Sequence, residues 1–230
     1  MRVVKLRQFI IILIYVLFNS CLDNDELTTK SVSTKSNPLE KNKKLNQDKN
    51  PNNKTIYILP LGNVPVEQLK FVQSSIAGFF GYTVLIENKV NLSRDLKNNP
   101  PIRYVAEKIL AKFNTTKNRL ILTNVDIVTH DKKRKVKEWG VLGLGYRPGN
   151  TCVVSTFRLN KAKVKVSHGK FLERLEKVCI HEVGHNLGLP HCTRNDKCLM
   201  NDANGTIAQV DKETLNFCDY CRSKIPKLIK

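Results

Sequence analysis

Residues 181 to 191 read HEVGHNLGLPH and place three imidazoles and one carboxylate within a single short stretch. On a helix, residues four apart share a face, so His181 and His185 can aim at one ion while Glu182 projects beside them without ligating. Histidines four apart also occur by chance in helices, so the pair alone does not define a site. Gly188 adds information. A glycine accepts positive φ at no steric cost, so the helix can stop there and the chain can turn back to bring His191 to the same ion. Three neutral imidazoles leave Zn²⁺ one open tetrahedral position, which is the arrangement of a catalytic rather than a structural site. The chemistry such a site supports is hydrolysis, with Glu182 as general base.

The full HExxHxxGxxH pattern is that of the metzincin metalloproteases. Cys192 follows the third His directly, then come Cys198-Leu199-Met200 and, further on, Cys218-Asp219-Tyr220-Cys221. This continuation resembles the archaemetzincin family, and Leu122 to Ile127 and Val153 to Leu159 are similar to segments of the same family. The resemblance therefore spans most of the chain from about residue 55 to 230. It implies His181, His185 and His191 as ligands of a catalytic zinc, Glu182 as the base that assists a zinc-bound water, and Met200 as a packing residue beneath the site. It also implies a second, structural zinc held by Cys192, Cys198, Cys218 and Cys221. Two short-spaced Cys pairs can close such a thiolate site. Disulfides Cys192–Cys198 and Cys218–Cys221 are the competing reading, because the chain carries an export signal. One departure stands out: five residues separate Cys192 from Cys198, where the family usually has four, so this loop follows its own course. Cys152 and Cys179 are left over and are read as small buried residues, with a bridge between them as the alternative.

The elements that must position these groups read as one α/β domain. Thr55 to Leu59, Tyr82 to Ile86 and Leu120 to Thr123 are strand candidates. Pro65 suits a first helical turn, and Val66, Leu69, Val72, Ile76 and Phe79 then recur three or four apart. Pro100-Pro101 followed by Ile102, Val105, Ile109 and Phe113 predicts a second helix. Val141 to Tyr146 and Cys152 to Leu159 flank a Pro-Gly turn and predict a hairpin, and Val153 to Phe157 is the edge strand expected to receive an extended substrate. Phe171, Leu172, Leu175, Val178 and Cys179 give the zinc-motif helix its buried stripe. The basic stretch His130 to Glu138 reads as a solvated loop in preference to a nucleic-acid patch, since no aromatic residues interleave to stack bases. His130 and His168 are expected at the surface.

The 230 residues carry 39 Lys plus Arg against 20 Asp plus Glu, a net charge of +19, and the 41% hydrophobic content suffices for a packed core. That composition excludes collagen-like repeats, wholesale disorder and a multi-span membrane protein. Arg2, Lys5 and Arg7 precede the apolar run Phe9 to Phe18, which is about half the roughly 20 residues a membrane-crossing helix needs. Residues 1–21 therefore read as a signal peptide, and Cys21 after Ser20 resembles the lipobox cysteine of bacterial lipoproteins. Residues 22–54 are polar and predict a disordered tether.

The expectation is an α/β fold with a twisted mixed sheet, an active-site helix and a small Cys-rich C-terminal zinc subdomain over 55–230. The expected activity is zinc-dependent hydrolysis of peptide bonds, with one catalytic and one structural Zn²⁺. The competing functions are a zinc-stabilised binding module for anionic polymers and a zinc amidase acting on a non-protein amide. A peptide or protein substrate, a membrane contact through a lipid anchor, no nucleic acid and a monomeric state complete the reading. The location expected is exported: a bacterial membrane-anchored lipoprotein, or otherwise a secreted or periplasmic protein.

Overall fold

The computed structural model describes residues 54–98, 103–131, 135–160 and 166–225. The expected leader (1–21) and all but the last residue of the expected tether (22–54) lie outside them. Among the described residues, no helix is long and apolar enough to cross a membrane.

The elements follow in chain order as β1 (Thr55–Leu61), α1 (Val66–Phe80), β2 (Thr83–Ile86), β3 (Tyr104–Val105), α2 (Ala106–Lys112), β4 (Asn118–Thr123), β5 (Ile127–Asp131) and β6 (Val136–Gly140). Then come β7 (Gly143–Gly145), β8 (Thr151–Ser155), α3 (His168–Asn186), α4 (Ile207–Lys212) and α5 (Asp219–Arg222). The main sheet has the order β2-β1-β4-β8-β7, parallel except for β7, which runs antiparallel at one edge. A parallel sheet is covered on both faces, and the alternation of side chains shows how. Leu120, Leu122, Cys152 and Val154 face α1 and α3, packing with Val72, Ile76, Leu175 and Cys179. Their neighbours Ile121 and Val153 face the opposite layer, against Ile109 and Leu110 of α2.

The helix ends are locally encoded. Gly81 terminates α1 in the left-handed region, with φ 67° and its N–H donated to Ala77. Ser167 caps the start of α3 by accepting from the Lys170 N–H at 3.2 Å. A third cluster, built from Ile180, Leu189, Leu199, Met200 and Phe217 with three of the C-terminal cysteines, packs under the far end of α3.

Three sequence expectations change. The second helix starts at Ala106 rather than near Ile102, because Tyr104 and Val105 instead pair in parallel with Ile127 and Val128; Ile102 lies outside the described residues. The stretch from His130 to Glu138 is not a plain loop: its two ends belong to the antiparallel pair β5–β6, where Thr129 stands opposite Trp139. A β-branched residue against an aromatic stabilises such a pair, and the basic side chains between them conceal it in the sequence. The substrate edge moves as well. Every residue of β8 is buried between β4 and β7, so the exposed edge belongs to β7.

Candidate active site

Helix α3 carries His181, Glu182 and His185 and ends just beyond them. The N–H of Gly188 donates to the His185 carbonyl at 2.8 Å and that of Leu189 to Gly184 at 3.0 Å. Gly188 sits at φ 95°, a conformation that favours glycine, and the reversal there delivers His191. The His185 and His191 Nε2 atoms are 3.2 Å apart, close to the roughly 3.3 Å edge of a tetrahedron with Zn–N bonds of about 2.0–2.1 Å. One ligand atom from each of the three imidazoles lies within 4.8 Å of the others.

The ring orientations are set by backbone acceptors. His181 donates Nδ1–H to the Leu199 carbonyl at 2.7 Å and His185 donates Nδ1–H to the Leu189 carbonyl at 2.8 Å. A carbonyl only accepts, so both rings must carry the proton on Nδ1 and present an unprotonated Nε2 to the centre. Burial holds His181 down to about pKa 3 and His185 to about 4, with the neighbouring histidines adding to the effect, so both are neutral at physiological pH. Asp202 lies 3.8 Å from His191 Nδ1 on the outer side.

Glu182 is buried, and its Oε2 has no hydrogen-bond partner among the described residues. Burial raises its carboxyl to about 8. An unpartnered buried carboxylate beside three converging imidazoles suits a cation there, which would draw that value down. Strand β7 walls the carboxylate. A Cβ on Gly143 would stand 2.5 Å from Glu182 Oε1, and one on Gly145 3.1 Å from the Glu182 carbonyl, so the Gly-Leu-Gly pattern lets the edge strand lie flat on α3. Met200 lies on the other side of the helix, where a Cβ on Gly184 would come 2.7 Å from its sulfur. Its side chain is fully buried in the third core cluster.

The four C-terminal cysteines converge separately. Cys192, Cys198, Cys218 and Cys221 bring their sulfurs within 4.8 Å of one another, and all are free thiols. Neither of the alternative disulfides is present. The Cys192 and Cys218 sulfurs are 3.7 Å apart, which matches the roughly 3.8 Å edge of a tetrahedral site with Zn–S bonds of about 2.3 Å. Burial opposes ionisation of Cys192, but the backbone amides of Arg194 and Asn195 and the neighbouring thiols bring it down to about 7. Cys198 also accepts the Cys218 N–H at 3.3 Å. The lengthened loop between Cys192 and Cys198 closes on Asn195, whose carbonyl accepts from the Cys198 N–H at 3.1 Å and from the Asn201 amide at 2.8 Å. The two clusters share a backbone: Cys192 follows His191 and donates its N–H to Met200 at 2.7 Å, while Leu199 holds His181. Cys152 and Cys179 are buried and unbridged.

A cleft of about 310 Å³ runs past the imidazoles, with β7 on one side and residues 202–205, Val210 and Glu213 on the other. Helix α4 is held against α3 by buried cations. Arg174 forms two bonds to Asp211, at 2.8 and 2.7 Å, and one to the Leu159 carbonyl at 2.7 Å. Lys177 reaches Glu173 at 2.6 Å and the Val210 carbonyl at 3.1 Å. Sequence reasoning missed Gly143, Gly145, Asp202 and Glu213. The Gly-Leu-Gly alternation is the local signal that could have pointed to the first two.

The matches to known proteins agree with this geometry. The sequence model of peptidase family M54 matches residues 79–227. The chain belongs to this family, the archaemetzincins. It is 32% identical over 170 residues to the archaemetzincin of Archaeoglobus fulgidus, covering 74% of this chain and 98% of the relative. It is 30% identical over 175 residues to that of Halobacterium salinarum, covering 73% and 97%. The crystal structure of the Archaeoglobus fulgidus archaemetzincin complexed with malonate superposes with a TM-score of 0.64 at 30% identity, over 74% of this chain and 99% of that one. The archaemetzincin structure from Methanopyrus kandleri, at 22% identity, TM-score 0.63 and coverage of 76% and 95%, shares the fold. An archaemetzincin is a zinc metallopeptidase, and this chain is a hydrolase of that class.

Protonation of the site couples to stability in the metal-free archaemetzincin. His181 and His185 resist protonation when folded, so stability falls as pH drops below the ordinary histidine value of 6.5 towards 3 or 4. Glu182 and Glu213 are raised to about 8 and about 7, so the folded chain keeps protons that the unfolded chain releases near 4.5, and stability falls as pH rises through that window. Between about 4.5 and 6.5 the two pairs oppose one another. Chelated protein is expected to show a stability plateau there in urea titrations, with losses on either side of up to about 1.4 kcal/mol per pH unit per group. A monotonic rise from pH 5 to 8 would contradict this.

Proposed function

We propose that His181, His185 and His191 hold the catalytic zinc of this metallopeptidase, that Glu182 is its general base, and that Cys192, Cys198, Cys218 and Cys221 hold a second, structural zinc. The observation that carries the reading is the convergence of three neutral imidazoles next to an unpartnered buried carboxylate in one cleft. Zinc, when bound, supplies a Lewis acid that polarises the substrate carbonyl and lowers the pKa of a water towards about 7. The chain's own groups do the rest. Glu182 Oε2, without a hydrogen-bond partner among the described residues, takes the proton of the attacking water and returns it to the departing amine. The missing side chain at Gly143 leaves that carboxylate its room between β7 and the helix.

The β7 edge is the docking strand for the substrate. Leu142 and Tyr146 spend their backbone groups on β8, so the alternation of an antiparallel ladder turns the N–H and C=O of Gly143 and Gly145 outward. An extended peptide adds there as a further strand. Retention of Glu182 in the zinc motif speaks for hydrolysis over the alternative of an anion-binding module. A chelator is expected to abolish cleavage of a mixed peptide pool and added zinc to restore it, with two zinc ions per chain by elemental analysis. One ion per chain, or cleavage that survives complete metal removal, would overturn the assignment.

The leader motif supports a further part of the reading: export, followed by acylation of Cys21 and display of a monomeric domain on a polar tether. Metabolic labelling with a fatty acid should mark the unaltered protein and not Cys21→Ser; equal labelling of both, or of neither, would refute the anchor.

A further inference from the structure

Beyond the imidazoles, the cleft continues towards the N-terminal half of α3 and closes on Val178, Val210, Lys177 and Glu213. Glu213 follows α4 directly and is only 5% exposed, yet its Oε1 has no hydrogen-bond partner among the described residues. A buried carboxylate oxygen without a partner is costly and calls for a ligand. Lys177 directs its ammonium bonds to Glu173 and the Val210 carbonyl and reaches the carboxyl only through its charge, and Gln209 bonds the carboxyl group without satisfying Oε1. The clamp of Arg174 and Lys177 on α4 keeps Glu213 at this end of the cleft, and Val178 and Val210 form the apolar walls before it.

We propose that Glu213 is a specificity-determining residue that selects a Lys or Arg side chain at this end of the cleft. The inference rests on the reading that a peptide occupies the cleft. The aliphatic stem of the Lys or Arg packs between the two valines, and its cation meets the open carboxylate oxygen. The register follows from β7. Gly143 faces Glu182 and Gly145 faces His185, so the strand runs in the same sense as α3, with Val141 beside the Val178 end. A peptide added antiparallel to β7 places its C-terminal half at that end. The selected residue therefore lies on the C-terminal side of the scissile bond.

The test uses the zinc-loaded protein and paired peptides with Lys, Arg, Leu or Glu at that position, identified first from a peptide pool by mass spectrometry. The kcat/KM for Lys or Arg is expected to exceed that for Leu by roughly ten-fold, and Glu213→Gln to reduce this ratio by at least about five-fold. A preference for Leu or Glu, or an equal loss on all peptides in Glu213→Gln, would overturn the proposal. Fluorescence anisotropy of the same peptides on Glu182→Gln protein, with and without Glu213→Gln, separates the two readings. Lys-selective binding that depends on Glu213, with no cleavage by the unmutated protein, sustains the subsite and refutes the peptidase mechanism. Cleavage without selectivity does the reverse.

Discussion

Glu182→Gln protein is expected to bind as much zinc as the unmutated chain and to lose peptide cleavage by a factor of about 10²–10⁴ in kcat. The substitution keeps the shape of the side chain, so the contact with Gly143 and the packing against β7 survive. What disappears is an atom able to receive a proton: Oε2 of the carboxylate, which has no competing partner among the described residues. The loss belongs in kcat, because the β7 edge and the cleft walls proposed to bind the peptide are untouched. Equal zinc content together with unchanged kcat would remove Glu182 from the chemistry. Loss of the metal in this variant would mean that the carboxylate is a ligand and not a base.

Cys221→Ser should have the largest effect on stability. Three of the four cysteines lie in the third core cluster with Met200, Leu199 and Phe217 and Cys218 packs against it, so the metal proposed for them would stand in for core that this small region lacks. Structural zinc sites of this class contribute about 10–16 kcal/mol of binding free energy. A domain has a total stability of only about 5–15 kcal/mol. The variant is expected to carry one zinc fewer and to melt in two steps, with the region from Cys192 to Arg222 opening first. Because Cys192 adjoins His191 and Leu199 holds His181, the remaining zinc should also exchange faster with a chelating dye. A variant that retained two zinc ions and an unchanged melting curve would show that the four thiols are not a metal site.

The sequence made the clustered histidines legible because their geometry is local. His181 and His185 are set by helical spacing, and Gly188 advertises its turn by being the residue that tolerates positive φ. The central strands were legible for a different reason: buried on both faces, they read as continuous apolar runs, as in Leu120–Leu122. Pairing partners were not. Nothing near Tyr104 reports that it will join Ile127, and the short strands β5 and β6, on either side of a basic stretch, owe their form to each other. The edge strand was misassigned for the same cause. Val153 to Phe157 is the stronger strand former, and its very burial puts it inside the sheet, leaving the weaker Gly143–Gly145 at the edge. Glu213 was invisible because its meaning comes from α4 being clamped onto α3 by Arg174 and Lys177 across more than thirty residues of chain.

Anomalous diffraction at the zinc edge from crystals of the zinc-loaded protein tests the central claim most directly. Two peaks are expected, one bonded to the Nε2 atoms of His181, His185 and His191 at about 2.0–2.1 Å with solvent in its fourth position, and one among the four cysteine sulfurs at about 2.3 Å. A first ion ringed by four side chains, or one from which His191 is turned away, would contradict it.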